Sequence, residues 1–319
     1  LLRNQGAVIK NRTIFQQEWW LDCVTNGRYA AVTASSGGQV VGWLPYMVQR
    51  RWGFSVSEIP HLTHTLGPVI AAGAGRPNSQ LLRSYSITAE LLAGLPPLAY
   101  FRQVLAPSQG EALAYQAAGF AVRVQFTFIA DCADIDGAWK NMRDKTRNLI
   151  RRSEERDTVT AGDQVDEFLE QYAVHCASRD RVNRYDRERT GRVLRACIER
   201  DQGKVFFARD GKSGQVNGGI FVVWDDSSMY YLMSTRSSES PDNGAISLLL
   251  WKAMNEAHVR GLKFDFDGVS SAGSFRFLSG FGGTVARRLV VEKFNMAYHA
   301  MDKVHAFVRR SGNLRRHFG

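Results

Sequence analysis

Two carboxylates stand two residues apart in Phe264-Asp265-Phe266-Asp267-Gly268. Successive side chains of a β-strand point to opposite faces, so this spacing predicts Asp265 and Asp267 on one face and both phenylalanines on the other. Carboxylates at the C-terminal end of a strand can take a proton from an attacking amine, or orient it. A purely structural arrangement would instead cap the next turn with Asp267 and pair Asp265 with an Arg or Lys. Upstream, Tyr230-Tyr231-Leu232-Met233-Ser234-Thr235-Arg236 reads as a strand, 237–243 as a polar loop, and Gly244 onward as a helix. A helix N-terminus offers unpaired N–H groups and a partial positive charge, which suit a phosphate. Asp242 or Asn243 can cap it. Gly244 and Ala245 leave the backbone approachable, and Arg236 can add a phosphate contact. An ordinary capped helix would carry the same residues.

Arg143, Arg147 and Arg151 recur every four residues, which predicts one positive stripe on a helix over 137–156. Guanidinium groups bind phosphate in bidentate fashion. Little acid interrupts the stripe before Glu154-Glu155, so an anionic ligand is favoured over a merely solvated face. His175 and Arg179, four apart on a predicted helix, share a face either as substrate contacts or as a packed surface pair. His61 and His64 lack a third ligand and no cysteine stands at zinc spacing, so no metal site is expected. The four cysteines read as ordinary buried thiols of a reducing compartment. The chain holds no G-x-S-x-G, H-E-x-x-H, P-loop or G-x-G-x-x-G motif.

These groups need a scaffold, and 319 residues suffice for one large domain or two ordinary ones. Lys and Arg number 41 against 31 Asp and Glu, a net charge of +10 that favours anionic partners without choosing among them. No apolar run is long enough for a membrane-spanning helix. Periodicity and turn residues predict helices over 15–26, 79–93, 110–118, 137–156, 165–179, 187–200, 244–260, 274–279 and 298–310. Strands are predicted over 29–34, 39–49, 52–59, 100–105, 121–129, 205–209, 215–224, 229–235, 263–267 and 285–294, with a long loop over 60–78.

The two halves repeat each other. Gly38-Gln39-Val40 matches Gly214-Gln215-Val216, each entering a long strand from a hairpin turn. A strand, helix, Gly-Phe and strand then follow twice, around Gly119-Phe120 and around Gly280-Phe281. Two anchors in the same order predict two similar α+β units.

Five segments, in order, resemble the Fem-type branch of the GNAT acyltransferase superfamily. They are Phe15-Gln16-Gln17-Glu18-Trp19-Trp20; Trp139 with Lys145-Thr146-Arg147-Asn148-Leu149-Ile150-Arg151; Gly244-Ala245-Ile246-Ser247-Leu248-Leu249-Leu250-Trp251; Phe264 to Gly268; and Phe277 with Phe281-Gly282-Gly283. The resemblance covers nearly the whole chain. It implies an α+β (mixed α/β) fold of two fused GNAT-like domains, 1–134 and 135–319. Each would be a mostly antiparallel twisted sheet with helices on both faces, and the second would carry the donor site and a basic C-terminal tail. GNAT proteins hold acyl-CoA between their fourth and fifth strands, with the pyrophosphate on the next helix N-terminus. Carried over, Met233, Ser234, Thr235 and Arg236 would meet the donor with Asn243, Gly244 and Ala245. Fem-type aminoacyltransferases take an aminoacyl-tRNA and extend a peptidoglycan precursor. Their arginine helix matches Arg147 and Arg151, while the basic residue of their F-K-x-x-F-G pattern meets Leu278, with Arg276 nearby.

The expectation is an N-acyltransferase of the bacterial cytoplasm or inner membrane face. It would move an acyl group other than an aminoacyl from acyl-CoA to an amine, such as an amino sugar or a precursor of a cell-envelope glycan or exopolysaccharide. Attack is direct, with no covalent enzyme intermediate and no metal. Asp267, Asp265 or a water takes the proton, and backbone N–H groups of 233–235 hold the oxyanion. Tyr231 protonates the leaving group. Arg143, Arg147, Arg151, His175, Arg179 and Arg276 bind the anionic substrate. Two alternatives stand beside it: an aminoacyl-tRNA-dependent aminoacyltransferase, and a non-catalytic binder of nucleic acid or of a membrane surface by peripheral contact.

Overall fold

Glycine turns and apolar runs lay out the elements of the computed structural model, which describes residues 12–107, 112–178, 183, 185–237, 244–269 and 271–305. The first half contains α1 (Glu18–Thr25), β1 (Tyr29–Ser36), β2 (Gln39–Met47), β3 (Gln49–Arg51), β4 (Phe54–Ser57), β5 (Val69–Ile70), α2 (Pro77–Ala93), β6 (Tyr100–Val104), α3 (Leu113–Ala117) and β7 (Ala121–Ala130). There follow α4 (Ile135–Asn141), α5 (Asp144–Arg156), β8 (Asp157–Gly162), α6 (Val165–Ser178), α7 (Arg187–Glu199), β9 (Gly203–Asp210), β10 (Val216–Trp224) and β11 (Ser228–Arg236). Then come α8 (Ala245–Val259), β12 (Lys263–Gly268), α9 (Ala272–Leu278) and β13 (Thr284–Phe294), and residues 296–305 are again helical.

Two compact units form. One takes Arg12, Gly27–Val124 and residues from Arg288 on; the other takes Thr13–Asn26 and Gln125–Arg287. A single cut after residue 134 therefore does not separate them. The reason lies in the last strand of each repeat. The end of β7 pairs antiparallel with β12, Ala130 opposite Phe264. The end of β13 pairs antiparallel with β6, from Val290 opposite Val104 to Phe294 opposite Tyr100. Each repeat thus donates its final strand to the unit of the other.

Within the first unit, β4 runs parallel to β6; within the second, β11 runs parallel to β12. In both, the helix between the parallel strands follows the first of them, and a short helix plus Gly-Phe precedes the last strand. The Gly-Gln-Val anchors lie at the β1–β2 and β9–β10 hairpins, as the repeat predicts. The second unit is centred on β10, whose run Val216–Trp224 is buried nearly throughout. Such a run marks a strand covered on both faces. α8 lies on it with Ala245, Leu248, Leu249, Leu250, Ala253, Met254 and Ala257 all buried.

Four local expectations change. The predicted helix over 137–156 is two helices, because Met142 and Arg143 are extended (φ −67°, ψ 148° and φ −63°, ψ 143°). The predicted strand over 52–59 is a hairpin, β3–β4, that turns on Trp52-Gly53 at φ 52° and 81°. Two consecutive positive φ angles are the twist-matched hairpin turn. The loop over 60–78 carries β5, and its Leu66 N–H donates to the Val104 carbonyl (2.7 Å). It takes the place beside the end of β6 that β4 leaves after Ser57. Finally β8, Asp157–Gly162, was not expected at all; it adds an edge strand to β9. The basic tail after residue 305, with Arg309 to His317, lies outside the described residues.

Candidate functional site

In the second unit, the parallel pair β11–β12 is in register only from Ser228/Lys263 to Tyr230/Asp265. Both strands continue, β11 to Arg236 and β12 to Gly268, so they splay beyond Tyr230. A bulge begins the splay. Phe221 and Val222 of β10 face Met233 and Tyr231 of β11, which leaves Leu232 as the extra residue. An extra residue bends the bulged strand and increases its twist. Past that point, no strand among the described residues lies opposite the β12-facing backbone groups of β11, and a ligand chain can take that place.

The two aspartates do not share a face. Asp267 has φ 67°, a left-handed conformation that interrupts the alternation, and the β7 register shifts between Asp265 and Gly268. Asp265 is 2 % exposed, and its carboxylate accepts the Asp267 N–H at 2.9 Å. Thr127 Oγ1 lies 2.6 Å from Asp265 Oδ1 and 2.7 Å from the Asp267 carbonyl, and places its one proton between them. Asp265 and Thr127 together thus hold the backbone of Asp267 in its turn, at the mouth of the splay. Tyr231 and Tyr185 both lie within the field of Asp267. Burial pushes the Tyr231 hydroxyl up, and Asp267 adds to it, against a hydrogen bond from Ser234 and the positive charge of Arg236. Burial likewise raises Tyr185, with Asp267 and Cys176 in the same sense. Tyr185 was missed in the sequence, where it stands just before Asp186, the N-cap of α7.

The donor residues of β11 divide. Met233 and Thr235 are buried, and Thr235 Oγ1 donates to the Gln171 carbonyl of α6 (2.8 Å). The Arg236 N–H donates to His175 Nδ1 (2.9 Å), which fixes the neutral His175 proton on Nε2. The Arg236 guanidinium lies over the Phe277 ring at 5.6 Å. His175 therefore closes the end of β11 and reaches the site by way of its backbone. At α8, Gly244 has φ 84°, and a Cβ there would stand 2.9 Å from the Leu149 carbonyl, so only glycine fits. Ala245, Ile246, Ser247 and Leu248 are buried, so the first turn of α8 is covered. Arg179, Asp242 and Asn243 lie outside the described residues.

The arginine stripe is a correction. Arg143 is the extended N-cap of α5, not part of the helix. Its guanidinium donates to the Arg276 carbonyl and to Ser279 Oγ (3.0 Å). Arg147 Nη1 donates to the carbonyls of Lys140 (2.7 Å) and Met142 (2.8 Å), and its other nitrogen pairs with Asp144. Two of the three arginines are thus spent on the break between α4 and α5. Arg151 is exposed and lies over Trp139 at 5.5 Å; Arg276 is exposed on α9. Arg147→Ala should accordingly lower the unfolding free energy by about 2 kcal/mol, the scale of charged hydrogen bonds to carbonyls. Urea melts check this; a substrate contact would instead raise KM and leave the melts unchanged.

Cys132 is buried, which pushes its thiol up to about 12, and burial raises Cys197 as well. A raised thiol is a poor nucleophile at neutral pH. No group of three or more His, Cys, Asp or Glu is placed to hold a metal ion among the described residues. No helix among them is long and apolar enough to cross a membrane.

Residues 136–277 match the acetyltransferase (GNAT) domain family, a span that contains α5, the splay and both aspartates. No curated protein matches the chain in sequence. Among solved structures, the chain is similar to FemX, at 13 % identity over 89 % of this chain and 93 % of that one, with a TM-score of 0.65. It is similar to L-PGS from Bacillus licheniformis, at 13 % identity over 86 % and 87 % and a TM-score of 0.53. A tandem GNAT protein from the clavulanic acid biosynthesis pathway matches at 13 % identity over 86 % and 87 %, with a TM-score of 0.51. At such identities the likeness is one of fold, and the fold agrees with the repeat and with the strand splay. Residues 136–277, within the second unit, thus match a GNAT acetyltransferase domain, and the fold of the chain is similar to those of FemX and of a tandem GNAT protein.

Proposed function

We propose that the second unit transfers an acyl group from a coenzyme A thioester to an amine, within the opening between β11 and β12. The observation that carries this is the placement of Asp267. Asp265 and Thr127 hold it at the mouth of the splay, in reach of the fields of two protonated tyrosines. The acyl arm lies along the free edge of β11. The amine nitrogen attacks the acyl carbon, and Asp267 takes its proton. Backbone N–H groups around Ser234 stabilise the oxyanion. The C–S bond then breaks, and the Tyr231 hydroxyl gives its proton to the leaving thiolate. The resemblance to Fem-type proteins supports an acceptor among amino sugars and cell-envelope glycan precursors.

The cover over the first turn of α8 favours a second reading. There the donor has no pyrophosphate to seat, as in the ester of an aminoacyl-tRNA. One screen separates the two: mass spectrometry of amine acceptors incubated with the protein and either acyl-CoA or aminoacyl-tRNA. A mass gain with the thioester supports the first reading. A gain with the aminoacyl ester alone replaces it by the second, and no gain with any donor overturns both.

A further inference from the structure

The first unit cannot seat a donor chain beside β6 as the second does beside β12, because its own loop occupies that edge. It does hold a cavity at the other end of its helices, of about 550 Å³. Small-molecule sites commonly measure about 300–1,000 Å³. The walls come from α2, from the turn that follows it, from β6 and from α3. They are small or apolar: Ala89, Leu92, Ala93, Pro97, Ala117 and Phe120 among them. Lys293 is the one charged residue of the lining. Its ammonium donates to the Ala118 carbonyl at 2.7 Å and lies 5.3 Å from the centre of the Phe120 ring. An ammonium carries three N–H donors, and the carbonyl takes one.

The cavity continues outward along one face of α2. Leu82, Tyr85, Ala89 and Leu92 fall on that face by helical spacing. Leu82 is 66 % exposed and Tyr85 37 % exposed, so the apolar track runs from solvent into the cavity. An exposed leucine and tyrosine leading into a partly open apolar cavity cost solubility unless something covers them.

We infer that this cavity binds a carboxylate with an extended aliphatic body, its chain in the chamber and along α2 and its carboxylate on Lys293. The charge decides the head group: among the described residues the wall offers a single cation and no second charge. The apolar lining decides the tail. The inference stands on the first unit alone and does not rest on acyl transfer by the second.

Isothermal titration of the full chain with decanoate and with decanol tests it. Decanoate should bind one to one, and decanol about tenfold more weakly, since a charged hydrogen bond is lost. Lys293→Gln should weaken decanoate about tenfold and leave decanol unchanged. Ala117→Trp, which fills the chamber, should abolish both. If that variant fails to fold, a diazirine analogue of decanoic acid replaces it, and its label should map to peptides of α2 or α3. No binding of decanoate, equal binding of decanol, an unaffected Lys293→Gln variant or a label elsewhere would each overturn the assignment.

Discussion

Asp267→Asn should lower kcat by about 10²–10⁴-fold, the range for loss of a positioned general base, and leave the protein folded. The substitution is mild for the backbone. Asp267 sits at φ 67°, and Asn is the residue that tolerates that region best after glycine. Asp267→Gly sharpens the comparison, because it removes the carboxylate and the backbone strain together. Its stability should equal or exceed that of the parent while turnover stays low, so chemistry and stability move in opposite directions. KM for the donor should change little in either variant, since in the proposed mechanism the carboxylate faces the attacking nitrogen. Unchanged kcat in both would exclude Asp267 and leave the proton to water. Asp265→Asn should behave differently. It loosens the hold on the Asp267 N–H and on Thr127, so it should cost stability as well as rate.

The tyrosines supply a pH signature for the same site. Tyr231 and Tyr185 are both raised, first by burial, and so remain protonated throughout the neutral range. If Tyr231 is the acid, kcat falls only above its raised value, beyond the ordinary tyrosine value of about 10. Tyr231→Phe should lower the plateau and remove that alkaline limb. A limb that survives in Tyr231→Phe and disappears in Tyr185→Phe would move the acid to Tyr185.

The elements around the proposed site were more legible in the sequence than their local geometry. Local rules placed β11, α8 and β12 within two residues, because polar turn residues bound β11 and glycines border α8 and β12. The period-two rule then failed at the Leu232 bulge of β11 and at Asp267. A register shift against β7 and the positive φ are properties of the pairing, and the bonds that stabilise them come from Thr127, far away in sequence. The helix over 137–156 failed for a similar reason. Its break contains neither proline nor glycine. It is made by Arg147 reaching back to the carbonyls of α4 and by the Arg143 N–H donating to the Gly280 carbonyl. A four-residue arginine period looked like a ligand stripe because periodicity cannot distinguish a guanidinium that meets solvent from one that meets its own backbone. β8 was legible in part, since Thr158-Val159-Thr160 is a β-branched run, but its short length and flanking helices hid it. Tyr185 carried no local signal, because only the packing of the unit brings it into the field of Asp267.

Asp157→Ala should destabilise the fold by about 1–3 kcal/mol, the cost of leaving the buried Ser153 and Asn217 donors without their acceptor while Arg156 is partly solvated. The Asp157 side chain is fully buried. Burial alone would raise its carboxyl, but hydrogen bonds from Arg156, Ser153 and Asn217 outweigh it and hold the group below the ordinary carboxylate range. Arg156 Nη2 and Ser153 Oγ each donate to Oδ2 at 2.6 Å, and Asn217 Nδ2 donates to Oδ1 at 2.7 Å. Truncation leaves all three donors without that acceptor. A carboxyl with a depressed folded value contributes stability above its unfolded value of about 3.9, and loses that contribution as pH falls through the lower, folded value. The gap between parent and variant, read from urea melts, should therefore be full at pH 7 and narrow below about pH 4. A gap independent of pH would mean that packing, not charge, sets the loss. The network also bears on the site. The Asn217 carbonyl accepts the Ser237 N–H (3.1 Å), one residue past the end of β11. Asp157 thereby ties the end of α5 to β10 and to the exit of the splayed strand. In the folded fraction of Asp157→Ala, kcat should fall far less than in Asp267→Asn, because the network holds the exit of β11 whereas the proposed base is Asp267.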